Sequence, residues 1–495
     1  MRTLDFPLWL RATHFFNLLF ISLLWRSGIE ILSTHPKLYF NDDCRPGSEW
    51  LSFTRKKMPA DELWTSRDEE ESFNSWIALP GHRNLGLGRH WHFLSDIGWL
   101  TTGIIYIVLL FATDEWRRLV PDSWSIIPGA WHAALTYLSL HLVVTPGLYN
   151  PLQQLAYFSM VFLLAPFTIL TGLAMSPALA ARYPWYIKIF HGRQTARSLH
   201  FLCLCAFTLF VIGHVVMVVL HGFSEELAKI VLGETVHPNL RLALILGWAG
   251  IAAIVAIHII GTRYSLRRPR MVQQRTQPLI DCVRAALFSR EISAEHYPRS
   301  AISPYFRVNG RPPCDSIYED LARNQFAEYV LEVAGSVENP LRLTLADLRR
   351  MPKHSQITKH CCIQGWSAVA EWSGVELREI VDRCRPLLNV RYAVFYAFDD
   401  KSKSEPSPAG AGHFYGTIGM GLALHPQTIL AYEMNGQPLP IAHGAPLRLR
   451  VETQLGFTMV KYIRAIEFVE SYSHIGLGQG GWREDYQFYS PEAGI

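Results

Sequence analysis

Long apolar runs separated by polar stretches fill the first 260 residues, and shorter alternating segments take over after them. Five runs, at about 9–28, 92–112, 152–175, 199–220 and 242–260, are long and apolar enough to span a bilayer, because a helix needs about 20 apolar residues to cross roughly 30 Å of hydrocarbon. A sixth stretch, 126–144, is weaker; it holds His132 and His141, is followed by Pro146 and Gly147, and reads as an amphipathic or re-entrant piece. Residues 30–90 are polar and charged and predict a small extramembrane excursion. Beyond Thr262 the run RYSLRRPR opens a connector. Farther on, YVLEVAG (329–335), RYAVFYAF (391–398) and LRLRVET (447–453) alternate as strands do, and LTLADLRRM (343–351) predicts a short helix that Thr344 caps. The expected fold is multi-domain. An all-α transmembrane helix bundle of about five spans occupies 1–262, a connector 263–301, and a mixed α+β domain 302–495.

The net charge of +4 over 495 residues is small and dispersed, which argues against a nucleic-acid partner. The eight cysteines form no CxxC and no CxxCH, so a zinc ribbon and covalently attached haem are both disfavoured, and any haem is b-type. Only Arg2 precedes the first apolar run, with no small-residue cleavage site and no twin-arginine leader, so the first run is expected to be a retained helix.

Histidines decide what the apolar half can do. His200 and His214 stand fourteen residues apart in one run, nearly four helical turns, so both project from one face about 21 Å apart. Alternation of five spans puts His92 and His200 at one depth and His14 and His214 at the other. Intramembrane histidines are costly and usually functional, and imidazole is an axial ligand of haem iron. Depth matching therefore predicts two b haems, one held by His92 and His200 and one by His14 and His214. His90 points away from His92 by about 200° and competes for the same role. His132, His141, His221 and His258 lack a depth-matched partner and are expected to be polar or interfacial.

The stretches RATHFFN (11–17), GRHWHF (88–93), YNPLQQLAY (149–157), GLAMSP (172–177), ARSLHFL (196–202) and GHVVM (213–217) resemble the b-type cytochrome subunits of respiratory formate dehydrogenases and nickel-iron hydrogenases. The resemblance covers about 9–222. It implies the same two histidine pairs and a quinone site near the second haem; separately, Arg89 and Arg197, next to ligand histidines, are expected to neutralise haem propionates. The fifth run lies outside it and changes which side the carboxyl terminus occupies.

In the second half, KHCCIQGWS (359–367) holds a cysteine pair, followed by NGQPLPIAHGAPLRLR (435–450) and GFTMVKYIRAIEF (456–468). A thiolate suits a soft or high-valent metal, and Arg448, His443 and Lys461 suit a phosphorylated cofactor. On chemistry alone, a small buried cysteine and solvated basic residues explain the pattern equally well. The region 302–490 resembles the sulfite oxidase family of molybdopterin enzymes, and within it the bacterial methionine sulfoxide reductases. The resemblance implies Cys362, selected over Cys361 by its spacing to Trp366 and Ser367, as the molybdenum thiolate and catalytic residue. It implies His443, Arg448, Met459, Val460 and Lys461 around the pterin, with Phe306, Arg307 and Asn309 from ISPYFRVNG adding to that pocket. Gln364 stands where relatives often carry an acidic residue, Phe457 and Thr458 replace an aromatic-lysine pair, and no arginine-rich sulfite pocket is identifiable.

The combined expectation is a membrane-bound molybdenum oxidoreductase exchanging electrons between a quinone pool and a small sulfur or other oxo-transfer substrate through two b haems. The alternative is an electron-transfer cytochrome with a non-catalytic, partner-binding domain. The lipid bilayer and quinone or quinol are expected partners, in the bacterial cytoplasmic (inner) membrane. Resemblance sets the catalytic domain in the periplasm. Charge points the other way, since Arg182, Lys188, Arg193, Arg197, Arg263, Arg267, Arg268 and Arg270 all lie on the catalytic side.

Overall fold

The computed structural model describes residues 6–143, 149–233, 238–288, 293–404, 412–490 and 494; Pro146 and Gly147 lie outside the described residues. Among the described residues, five helices are long and apolar enough to cross a membrane: Leu8–Thr34, Leu85–Ala112, Pro151–Ala174, Arg193–Leu220 and Leu240–Arg267. Asparagines start three of them. Asn84 accepts from Leu87 N and Asn239 from Leu242 N, while Asn150 forms a capping box with Gln153 and is followed by Pro151. Large apolar side chains such as Ile104, Val108, Leu209, Ile212 and Ile245 point outward from these helices, as a lipid-facing surface requires. The stretch at 126–144 folds as a helix, Ile126–Leu138, of 13 residues, about 20 Å and too short to cross. The connector contains a second helix, Pro269–Phe288, anchored on the second span where Thr276 Oγ1 meets His90 Nδ1 at 3.1 Å.

The second half is built on two sheets. In the first, β5 (Lys353–Cys361), β6 (Ser367–Glu376), β9 (Thr428–Met434) and β10 (Gln437–Pro438) run in the order β10-β9-β6-β5, with β11 (Arg448–Val451) also paired to β9. In the second, β3 (Val330–Gly335), β4 (Leu341–Thr344), β7 (Tyr392–Asp400), β8 (His413–Gly419) and β12 (Ile463–Val469) run β4-β3-β12-β7-β8. The three alternating segments read as strands form β3, β7 and β11, and Thr344 caps Leu345–Arg350 through a capping box with Asp347. Trp372, Phe395, Ile429, Leu449 and Phe468 fill one core between the sheets.

The loop between the first two spans is not a free excursion. It forms a small ribbon of β1 (Lys37–Leu38) and β2 (Leu51–Ser52) and lies against both halves. Arg307 donates to Glu69 Oε2 at 2.6 Å, to Tyr39 OH at 2.9 Å and to the Cys44 carbonyl at 3.0 Å, with both partners of the ion pair about 2 % exposed or less. Removing one partner of such a buried pair costs about 3–5 kcal/mol, because the other charge is stranded. Lys359 of β5 pairs with Asp42 at 3.0 Å, and Asp42 also accepts from Gln194 N, at the start of the fourth span, at 3.0 Å. On the far side Arg270 donates to the Glu484 and Asp485 carbonyls at 2.8 and 2.6 Å, which ties the connector helix to the C-terminal segment.

Candidate functional site

Each of the four histidines read as ligands lies on a spanning helix, His14 on the first, His92 on the second, and His200 and His214 on the fourth. His14 and His214 face each other with ring centroids 6.4 Å apart. Two metal–nitrogen bonds of about 2 Å plus the half-widths of the rings amount to roughly 6 Å, so an iron fits between them. His92 and His200 lie within electrostatic reach of one another, and Asp96 sits beside both, 3.9 Å from His92 Nε2. In three of the four rings Nδ1 is already occupied. It meets Ser27 Oγ at 3.0 Å in His92, the Thr168 carbonyl at 3.2 Å in His200, and Tyr157 OH at 3.4 Å in His214. A partner on Nδ1 fixes the ring and leaves Nε2 for a metal. Gly28 and Gly172 flank the other pair, where an added Cβ would come 3.6 Å from His92 Cε1 and 3.4 Å from His200 Cε1, and so keep the approach clear for a flat ring. The geometry fits two haems.

His90 is buried and bonded to the connector, and His258 meets Ser22 Oγ at 2.9 Å and Arg26 Nη1 at 2.8 Å. Arg197 is not held free for a propionate. It donates to the carbonyls of Lys37 and His35, while Arg89 lies 5.0 Å above the Phe93 ring.

Cys362 opens the loop that joins β5 to β6, directly after the last ladder pair, Cys361 with Ser367. Two backbone bonds close this loop, Cys362 N to Trp366 O at 3.0 Å and Gly365 N to Cys362 O at 3.1 Å, and Gly365 supplies the positive φ of 109° that so tight a turn demands. The Cys362 thiol lines a cavity of about 190 Å³; Cys361 does not, and packs instead with Leu455 and Phe457. Burial pushes the Cys362 thiol up to about 12, so the free group holds its proton until a cation displaces it.

Behind the thiol lies a crowd of buried bases. Phe306 is its centre, 5.4 Å from the His360 and His443 rings and 5.6 Å from Trp372. Arg448 and Arg450 lie over the Trp372 ring at 5.0 and 4.3 Å. Burial, then Arg448 and Lys461, drive His443 down to about 3. Burial, then Arg450, drives Arg448 to about 9, and burial and Arg448 hold Lys461 well below its usual range. Among the described residues, Arg448 Nε and His360 Nε2 are buried with no hydrogen-bond partner. Arg450 has its counter-charge, Glu452, at 2.7 Å. This cluster fits an anionic, phosphorylated cofactor. Met459 and Val460 are buried beside it, and Asn309 Nδ2 donates to Cys362 Sγ at 3.9 Å. Arg307 is the exception, with both terminal nitrogens turned to the extramembrane loop.

The prokaryotic cytochrome b561 family matches residues 5–233, and the oxidoreductase molybdopterin binding domain matches residues 319–475. The chain is 35 % identical over 205 residues, 41 % of this chain and 70 % of the relative, to YedZ1 of Azospira oryzae, named as a protein-methionine-sulfoxide reductase subunit. It belongs to the cytochrome b561 family and carries a molybdopterin oxidoreductase domain. For that domain, the relatives include the protein-methionine-sulfoxide reductase catalytic subunits MsrP of Campylobacter jejuni and Xanthomonas axonopodis pv. citri. Both are 31 % identical, over 28 % and 34 % of this chain and 48 % and 52 % of theirs. The chain thus spans about half the length of the curated catalytic subunits it matches.

Sequence reasoning missed part of the cavity at Cys362 in this cytochrome b561 fusion. The cavity at Cys362 is also lined by Arg67, Glu70 and Arg83 from the loop between the first two spans, and by Arg483 near the carboxyl terminus. No arginine-rich pocket was legible because its arginines come from two distant segments, none in a motif.

The buried bases make stability pH-dependent. A histidine held at about 3 in the fold takes a proton in the unfolded chain below its ordinary 6.5, so stability present above that pH is lost as pH falls. For His443 the loss amounts to about 1–2 kcal/mol at pH 5. Cofactor-free protein should therefore show a thermal midpoint that drops between pH 7 and 5, and loading the anionic cofactor should flatten that drop. Equal slopes with and without cofactor, measured by scanning calorimetry, would count against the basic cluster as its seat.

Proposed function

We propose that this cytochrome b561 fusion is a membrane-bound molybdenum oxidoreductase that exchanges electrons between a quinone pool and a small sulfur compound through two b haems. Residues 1–262 are the di-haem unit, 263–301 the connector and 302–495 the catalytic domain. His92 with His200, and His14 with His214, hold the haems. Cys362 holds the metal, and Phe306, Asn309, His443, Arg448, Met459, Val460 and Lys461 line the pterin, with Arg307 bracing the wall behind it. When bound, the molybdenum cofactor supplies two-electron oxygen-atom exchange and the haems supply one-electron steps.

The observation that carries this reading is the join between the two sites. Gln194 Nε2 donates to the Gly365 carbonyl at 2.8 Å, and an added Cβ on Gly365 would stand 3.7 Å from Arg197 Nε. Both side chains belong to the first turns of the helix that carries His200 and His214. The loop that begins with Cys362 is therefore hydrogen-bonded to the helix of both haem pairs. A partner-binding domain without catalysis has no need of that connection.

A sulfur substrate is supported by the MsrP relatives, which are named as protein-methionine-sulfoxide reductases. The periplasmic face of the bacterial cytoplasmic membrane is supported by the fate of the arginines on the catalytic side. Arg193, Arg197 and Arg270 are spent on backbone carbonyls of the protein, which gives them a structural reason to be there.

The test follows haem absorbance in the purified full chain. Reduction by a quinol analogue, then reoxidation by an S-oxide, supports the reductive direction. Haem reduction by a reduced sulfur compound, then transfer to a quinone, supports the oxidative one. Haem bands indifferent to every sulfur compound, in protein loaded with molybdenum, would overturn the proposal.

A further inference from the structure

Exchange of one oxygen atom with a sulfur compound is also an exchange of two protons. Reducing an S-oxide breaks its S–O bond, consumes two electrons and two protons, and releases the sulfide and one water. Oxidising sulfite consumes one water and releases sulfate, two electrons and two protons. The haems carry the electrons under the proposed function, and a buried site needs a side chain of its own to hand the protons across. Among the described residues, Glu70 supplies the one carboxyl in the lining of the cavity at Cys362, and it comes from the loop between the first two spans. It is 8 % exposed. A single side chain separates it from the thiol: Gln364 Nε2 donates to Glu70 Oε1 at 2.6 Å, and Gln364 Oε1 accepts from the Cys362 thiol at 3.5 Å and from Trp366 Nε1 at 3.2 Å. Both ends of that amide are committed, so Glu70 is held one amide's length from the residue that would bind the metal.

The loop that presents Glu70 is fixed to the catalytic domain. Ser66 N donates to the Val308 carbonyl at 2.8 Å, Arg307 holds Glu69, and the Glu70 carbonyl accepts from Arg83 Nη2 at 3.2 Å. The next carboxylate, Glu71, turns the other way, to Thr54 and Lys56. Burial raises Glu70 above the ordinary carboxylate range, and this outweighs Arg67, the Gln364 hydrogen bond, Arg483 and Arg83, each of which lowers it. Glu30 of the first span and Tyr489 of the C-terminal segment also face it. A carboxyl lifted by burial and pulled down by guanidinium groups gains or loses its proton as the charge beside it changes. His82 and Arg83 are exposed and line the same cavity, so water reaches its outer end.

We infer that Glu70, a residue of the cytochrome half, is the proton carrier of the catalytic site at Cys362. It gives a proton to the oxygen atom leaving an S-oxide, or takes one from the water that supplies oxygen to sulfite, and it exchanges that proton with bulk water past His82, twice per turnover. The inference rests on the proposed function, since it concerns the protons of that same reaction. It also gives the fusion a chemical reason, because among the described residues the catalytic domain contributes no carboxyl of its own to the cavity.

The test uses full-length protein loaded with molybdenum and haem, with unchanged haem bands and molybdenum content as the check on folding of each variant. Glu70→Gln keeps the shape and removes the proton. It should lower kcat for dimethyl sulfoxide reduction by roughly a hundredfold, leave KM nearly unchanged, and flatten the fall in rate that the wild type shows as pH rises through the titration of Glu70. Glu70→Asp should keep that fall at a reduced rate. The reversed pair Glu70→Gln with Gln364→Glu restores a carboxyl on the other side of the same hydrogen bond and should recover part of the loss, whereas Glu71→Gln should leave rate and profile alone. Infrared difference spectra across the same pH range give a readout independent of turnover, a protonated-carboxyl band present in the wild type and in Glu71→Gln and absent in Glu70→Gln. A rate, pH profile and band that ignore Glu70→Gln overturn the proton carrier and leave the proposed activity standing. A wild type that turns over no sulfur compound refutes the activity, and the infrared band then still decides whether Glu70 takes up the proton.

Discussion

Cys362→Ser should abolish substrate-driven changes in haem absorbance, by roughly a thousandfold or more, which corresponds to about 4 kcal/mol of lost barrier reduction, while the haem spectrum stays intact. Serine is close to cysteine in size, so the loop closed by the Cys362–Trp366 and Gly365–Cys362 backbone bonds should keep its shape. Its hard oxygen is a poor substitute for a soft thiolate at the metal. The control is the neighbour. Cys361→Ser alters a buried residue that packs against Leu455 and Phe457 and does not itself line the cavity, and should retain most of the rate per molybdenum bound. Stopped-flow absorbance at the Soret band reads both. A Cys362→Ser protein that still responds to substrate removes the thiolate assignment, and equal losses in the two variants would leave Cys362 undistinguished from its neighbour.

His200→Ala and His214→Ala should each remove one haem and leave the other, because each acts in a different pair. The haem-to-protein ratio should fall from two to one in both, and a redox titration should keep one of two midpoints, a different one in each variant. Function should divide as well. His200 is on the helix less than two turns beyond Gln194, which donates to the Gly365 carbonyl of the Cys362 loop, so His200→Ala should cut haem–substrate exchange entirely. His214→Ala should leave exchange with the nearer haem while blocking passage to the far side. One haem in the wild type, or loss of the same midpoint in both variants, would overturn the pairing of His14 with His214 across their 6.4 Å.

How much of this was legible can be judged residue by residue. The five spans were legible because apolar composition over about 20 residues is a local property, and all five appear within a few residues of expectation at one or both ends. Depth matching of histidines was legible because helix rise is constant. The short helix capped by Thr344 and the strands β3, β7 and β11 followed from local pattern and capping chemistry. The connector helix Pro269–Phe288 was not legible, since Pro278 inside it and its many polar residues conceal the pattern, and its anchors are His90 and the C-terminal segment. Arg307 was assigned to the pterin pocket by its place in ISPYFRVNG, yet Glu69 and Tyr39, more than two hundred residues earlier, capture its terminal nitrogens.

Short windows of the chain dictate a membrane bundle followed by an α+β domain, the spanning helices that carry His14, His92, His200 and His214, and the motifs around Cys362, His443 and Lys461. These are properties of short windows, where periodicity and residue chemistry act through neighbours along the chain. Tertiary structure alone decided that the loop between the first two spans closes the cavity at Cys362, that Gln194 and Arg197 join that site to the helix of His200, and that Arg67, Arg83 and Arg483 converge. Such contacts link positions from about 170 to more than 400 residues apart, and no local pattern encodes them, because they depend on how two separately packed halves meet.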